Sequence, residues 1–385
     1  MNLFNFILLI VVFQISSSNL AVAGVVLAFT LPSILFGIIA GVFVDNWNKK
    51  RVLVITNILR AASAIPLIFI STNLFLIYLL TFIVSLITQF FIPAETPIIP
   101  QLVPKKFLLS ANAVFSLGIF GSIIVAYALS GPFLLILGVS KIFLFITILF
   151  GASAFFAFLI KFKFKKHKTD QKIEIFTEVK DAFSLMARKE KIYHSLFILT
   201  LLQTLILVIA VLGPGYATNI LKIEVEKFPL LFVTPAVVGM TVGAVIIGSF
   251  LHKYQKQTLV KVGLLIIGII LIIFPNVETI FEILLPQSMS IGSVRIMMFM
   301  AVVVGFAFSL VFVPSNTMIQ EETTDKQRGK IYGTLNTMVG IVSVVPVLTV
   351  GVVADNFGVD KVLTLVGIVI ILFSVSLFLK YKNYR

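Results

Sequence analysis

Cysteine is absent from this 385-residue chain, and charge is scarce: Lys and Arg total 30, Asp and Glu 16, and His only 3. Without cysteine there is no disulfide scaffold and no thiolate metal site. The three histidines, His167, His194 and His252, fall in or beside polar gaps, with no metal-ligand or catalytic-triad spacing. No calcium-loop pattern and no low-complexity tract occur. Gly329-Lys330 is followed by Ile331 and lacks the upstream glycine of a phosphate cradle, so the chain offers no motif for direct use of ATP. No catalytic residue, metal ligand or cofactor is therefore expected. What fills the chain instead is apolar: 59% hydrophobic residues, 38 of them Phe. The mean hydropathy of +1.13 is far above that of a soluble domain.

A membrane helix needs roughly 20 apolar residues, within about 17–25. Such segments lie near 20–44, 52–70, 74–92, 110–137, 142–161, 195–213, 229–251, 259–275, 293–313, 331–354 and 362–380. Residues 2–15 make a twelfth, short one, about 21 Å against a hydrocarbon core about 30 Å thick. Two readings compete for it. Phe4–Phe13 with Ala21-Val-Ala23 has the outline of a cleaved signal peptide, but no positive charge precedes it and the apolar pattern continues into the next span. A truncated first helix fits better, with the start about 15–25 residues upstream on the length argument.

The net charge of +14 is compatible with nucleic-acid binding, but its distribution is that of membrane loops. With twelve spans and the N-terminus inside, one side collects Lys49, Lys50, Arg51, Lys105, Lys106, the run from Lys161 to Lys191, Lys253, Lys256, Lys326, Arg328, Lys330 and the tail. The other side receives Lys141, Lys222, Lys227, Arg295 and Lys361. The positive-inside rule places both termini in the cytoplasm of a bacterial-type inner or plasma membrane.

The chain also repeats itself. Gly131-(six residues)-Gly138-Val139-Ser140-Lys141 closes the fifth span, and Gly351-(six residues)-Gly358-Val359-Asp360-Lys361 closes the eleventh. Phe91-Ile-Pro93-Ala-Glu-Thr96 matches Phe312-Val-Pro314-Ser-Asn-Thr317, and Gly248-Ser-Phe-Leu-His252-Lys253 is a worn copy of Gly41 to Asp45. Their order predicts an all-α membrane protein of two six-helix bundles, residues 1–162 and 193–385, with a substrate site between them. Residues 163–192 read as a cytoplasmic linker. Phe176, Val179, Phe183 and Met186 recur there at helical spacing among charges, as in an interfacial helix.

Ser33, Gly37, Gly41 and Asp45 recur every four residues, so they form one ridge on the second span. Small residues on a ridge let another helix approach closely. Asp45 closes that ridge, and Lys49, Lys50 and Arg51 open the next span. This stretch resembles the Gly-x-x-x-Asp-x-x-x-x-Arg/Lys-x-Arg/Lys motif of the major facilitator superfamily. The version Asp45-Asn-Trp47-Asn-Lys49-Lys50-Arg51 is similar to the macrolide-efflux and enterobactin-exporter branch. Arg60 fits that branch too, as does Pro93-Ala-(five residues)-Pro100-Gln-Leu-Val-Pro104-(seven residues)-Asn112. The resemblance implies that Asp45 holds the second span against the eleventh near Lys330 and controls alternating access. Asn46 stands where the family has arginine, and His252 where the second copy would have an acid. Gly131-Pro132 only partly resembles the antiporter motif of the fifth span.

Few groups remain to carry transport. No acid lies near the middle of any span. Glu95 and Arg60 are the candidates for coupling or gating, with the alternatives that Glu95 pairs Lys105 or Lys106 and that Arg60 snorkels to headgroups. Gln14, Gln89, Gln203 and Asn336 are the candidate substrate pathway. A cavity of Phe, Leu and Met with few polar anchors suits a lipophilic solute. The expectation is a monomeric, proton-coupled exporter of hydrophobic or amphipathic compounds, with the bilayer as partner and no nucleic acid. A siderophore-type metabolite exporter and a non-transporting membrane sensor or assembly protein are the alternatives.

Overall fold

The computed structural model describes residues 1–69, 72–104, 108–161, 190–251, 253–277, 290–323 and 325–382, and among them there are helices and no strand. In chain order the helices are α1 (Asn2–Ser16), α2 (Asn19–Asn46), α3 (Lys49–Ala64), α4 (Leu74–Leu102), α5 (Leu108–Leu159) and α6 (Glu190–Gly215). There follow α7 (Thr234–Ile246), α8 (Lys256–Ile273), α9 (Ser290–Glu322), α10 (Asp325–Phe357) and α11 (Val359–Lys382). Ten helical stretches are long and apolar enough to cross a membrane, and α1 is shorter. Each of the eleven long segments expected from the sequence falls on one of these ten. The stretch Gly121–Leu159 takes two of them.

The reason is Gly138. Its φ of 72° and ψ of 171° break α5 into two arms. Gly358, at φ 95°, separates α10 from α11 in the same manner. Both are the glycines that the internal repeat aligns, and only glycine takes positive φ without strain from a Cβ. Other helix starts are set by polar caps. The Ser18 side chain accepts from the Ala21 amide, Asn48 from Arg51 and Asn73 from Leu76. Prolines 32, 132, 214, 314 and 346 lie inside helices, which membrane helices tolerate when neighbours satisfy the freed backbone. Around α7 the winding widens to π turns at Pro229–Val233 and Ile247–Leu251.

The core is mostly apolar. α1 is its most deeply buried part, with Phe4 and the run Ile7 to Phe13 all at 5% exposure or less. Phe4 meets Phe143 and Phe150 edge to face, and residues of α2, α3, α4 and α5 complete the cluster with Leu67, Val211, Val225 and Val347. A second cluster draws only on residues 198–363, from α6, α8, α9, α10 and α11. The large side chains left exposed are apolar as well, Phe69 and Phe156 among them, which is a surface suited to lipid rather than water. The interfacial helix expected at 163–192 lies outside the described residues but for its last three, where α6 begins.

Candidate functional site

Among the described residues, no close helix approach is made at Gly37 or Gly41 of the α2 ridge. Of the described atoms, a Cβ built at Gly41 would meet none within 4 Å, and at Gly37 only Gln89 Oε1, at 3.8 Å. The tight seam between α2 and α10 is made by glycines of α10. A Cβ at Gly340 would lie 2.3 Å from Ile34 Cγ1, and at Gly351 2.9 Å from Leu20 Cα. The side chain of Asp45 lies outside the described residues, as do Lys105, Lys106 and His252. Of the basic cluster, Lys49 is buried and Lys50 places its ammonium 5.1 Å from the centre of the Phe158 ring. Arg51 is exposed, and its backbone is capped by Asn48. Trp47 stacks on Phe90, tying the α2–α3 turn to α4.

Arg60 does not snorkel. It is 3% exposed on α3, where its guanidinium lies 4.1 Å from the Phe91 ring centre and 5.9 Å from that of Phe150. Nη1 donates to Asn57 Oδ1 at 3.2 Å, while Nε and Nη2 are buried with no hydrogen-bond partner among the described residues. The acid that acts on this cation is Glu95, half-buried one turn beyond Phe91 on α4. The sequence ended the fourth span at residue 92. The helix instead continues through Pro93 to Leu102, so Glu95 sits within it rather than in a loop.

The four polar pathway candidates do not converge. Gln89 Nε2 donates to Ser85 O on its own helix at 3.2 Å. Gln14 Nε2 donates to Glu226 Oε1. Gln203 is half-buried on α6, and Asn336 is exposed on α10. A cavity of about 300 Å³ opens between α6, α8, α9 and α11 beside Tyr193, Lys261 and Phe373, and contains none of them.

The polar contacts that join α1 and α2 to the later part of the chain, among the described residues, meet at one end of the molecule. Besides Gln14–Glu226, they centre on Asp355, near the end of α10. Its Oδ1 accepts from the Asn19 amide at 2.7 Å and Asn19 Nδ2 at 2.9 Å. Its Oδ2 accepts from Ser18 Oγ at 2.5 Å and the Leu20 amide at 3.1 Å. The sequence reading passed over Ser18, Asn19, Glu226 and Asp355. The signal was there in part, as a Ser-Asn pair opening a helix and an acid just before the repeat's Gly358.

A bundle of long apolar helices with one polar cluster buried around Arg60 and another exposed around Asp355 has the build of an integral membrane protein. Residues 1–345 match the family model of the Major Facilitator Superfamily, so the chain belongs to that superfamily and is a multi-pass membrane transport protein, not an enzyme. It is 23% identical over 377 residues to "Uncharacterized MFS-type transporter YfiS" of Bacillus subtilis (strain 168), covering 95% of this chain and 86% of that one. Its fold is similar to that of the nucleoside transporter NupG, with a TM-score of 0.74 at 13% identity over 98% of this chain and 97% of that one. It is also similar to a bacterial homologue of the human lysosomal transporter Spinster, with a TM-score of 0.73 at 14% identity over 98% and 93%.

Proposed function

We propose that this chain is an alternating-access exporter of hydrophobic or amphipathic compounds, driven by exchange with protons across a bacterial plasma membrane. The observation that carries the reading is the one-ended closure. The polar contacts from α1 and α2 to the later chain gather at the Ser18 end. The opposite end carries Lys49, Lys50, Arg51 and Lys256, which the positive-inside rule assigns to the cytoplasm along with both termini. The conformation is then closed to the outside. Counting the arms of α5 separately and including α1 makes twelve spans in two halves, residues 1–162 and 193–385.

A lipophilic solute fits the scarcity of free polar groups. Gln14 and Gln89 are engaged within the protein, which leaves Gln203 and Asn336 to orient a ligand. Glu95 and Arg60 form the coupling pair. A deprotonated Glu95 is held by the cation, and a proton on Glu95 releases it. Asp45 with Lys49, Lys50 and Arg51 retains the role of a cytoplasmic lock. A second reading, export of an anionic metabolite of siderophore type, is favoured by the two unpartnered donors of Arg60.

The deciding experiment is energised efflux of a macrolide and of a lipophilic cationic dye from a pump-deficient bacterium, with and without a protonophore. Lower accumulation that the protonophore abolishes supports proton-driven efflux. Unchanged accumulation, with the protein present in the membrane, rejects lipophilic efflux and moves the assignment to the anionic metabolite.

A further inference from the structure

The amino terminus of α2 is satisfied from outside its own helix. The first amides of any helix lack intrahelical acceptors. Here the Ser18 side chain takes the Ala21 amide, while the Asn19 and Leu20 amides both go to the carboxylate of Asp355. A negative charge at a helix amino terminus is favoured by the helix dipole as well as by the hydrogen bonds. The same carboxylate receives Ser18 Oγ and Asn19 Nδ2, so two side-chain and two backbone donors converge on it. Gly351, one turn earlier on α10, brings the backbones together: a Cβ there would lie 3.1 Å from Asn19 O and 2.9 Å from Leu20 Cα. Its repeat partner Gly131 makes the corresponding approach on α5, where a Cβ would lie 1.7 Å from Glu226 O. Glu226 accepts from Gln14 of α1. The repeat position of Asp355 in the first half is Leu135, so the carboxylate is present on one side only.

We propose that Asp355 is the latch of the outer gate: its carboxylate on α10 caps the amino terminus of α2, and release of that cap opens the Ser18 end during transport. The proposal rests on the alternating-access reading above, and its outward direction rests on the assigned orientation. Opening must separate α2 from α10, so all the donors held by Asp355 are given up together. Water replaces them at an exposed site, which lets the latch be strong when closed and still reversible.

A cysteine-free chain allows a direct test. Val347, on α10 two turns before Asp355, is fully buried in the cluster containing α1 and α2, and Val347→Cys supplies a single thiol there. Its reaction with a membrane-impermeant maleimide added to intact cells reports opening of the outer end, with no substrate required. Asp355→Ala is expected to speed labelling by about tenfold or more, the scale of one charge-assisted hydrogen bond lost. Asp355→Asn, which keeps the shape and loses the charge, is expected to follow it. Asn19→Ala, made from the other side of the contact, is expected to give a smaller rise and to add nothing to Asp355→Ala. The Asn19→Ala arm carries the test alone where Asp355→Ala fails to reach the membrane. Unchanged labelling in the variants that reach the membrane overturns the latch. Acceleration confined to inside-out vesicles upholds the cap and overturns the outward orientation. Loss of macrolide or dye efflux in the functional assay leaves the labelling result untouched.

Discussion

Arg60 is the residue whose surroundings say most about its role. A charged side chain within a membrane helix is disfavoured by about 2.5–3.5 kcal/mol on insertion scales, unless a partner or a polar path relieves it. Arg60 has two aromatic faces and one asparagine, and keeps two donors in reserve. A planar guanidinium can stack on Phe91 and still direct its edge elsewhere, which an ammonium cannot do. Arg60→Lys is therefore expected to leave the protein in the membrane and to lower efflux by about tenfold, the equivalent of 1.4 kcal/mol. Initial rates at matched expression check this, and full activity in the lysine variant would show that only the charge matters. The sequence marked Arg60 and Glu95 as residues of interest. It left open that Arg60 reaches the headgroups and that Glu95 pairs a loop lysine, because a helix that continues through Pro93 runs against the usual meaning of proline as a stop.

At the scale of the helices, glycines divide into two kinds. Gly138 and Gly358 are required by backbone conformation, and Gly340 and Gly351 by contact. Gly138 has nothing within 4 Å of a Cβ, so Gly138→Ala tests conformation alone. A left-handed conformation costs an L-residue about 1–2 kcal/mol. The alanine variant is expected to melt earlier in detergent. Gly151→Ala, also with open space but within a regular helix, is expected to match or exceed the parent. Equal melting of the two variants would show that the break between the arms of α5 is not held by Gly138. The spacing Ser33, Gly37, Gly41 did locate a helix face, but the small residues that set the α2–α10 distance lie on the other helix. A ridge of small residues announces that a helix can be approached, not by which neighbour.

For the whole molecule the testable consequence is sidedness. Single cysteines at Lys256 and at Lys361, placed at opposite ends of the bundle, are expected to react with an impermeant maleimide only in inside-out vesicles and only in intact cells, respectively. The reverse pattern would invert the assigned orientation and turn the closed Ser18 end toward the cytoplasm. The sequence by itself determined that this is a helical multi-pass membrane protein of the Major Facilitator Superfamily. Transfer of a segment into lipid depends on the hydropathy of some 20 neighbouring residues, which is a local property. It also marked Gly138 and Gly358, since a repeated glycine at a helix break is a local backbone demand. The tertiary structure alone decided what encloses Arg60, which glycines carry the α2–α10 seam, and that Asp355 caps a helix 336 residues earlier in the chain. Those contacts depend on which helix faces meet after insertion, and hydropathy, nearly uniform around such helices, holds no record of that choice.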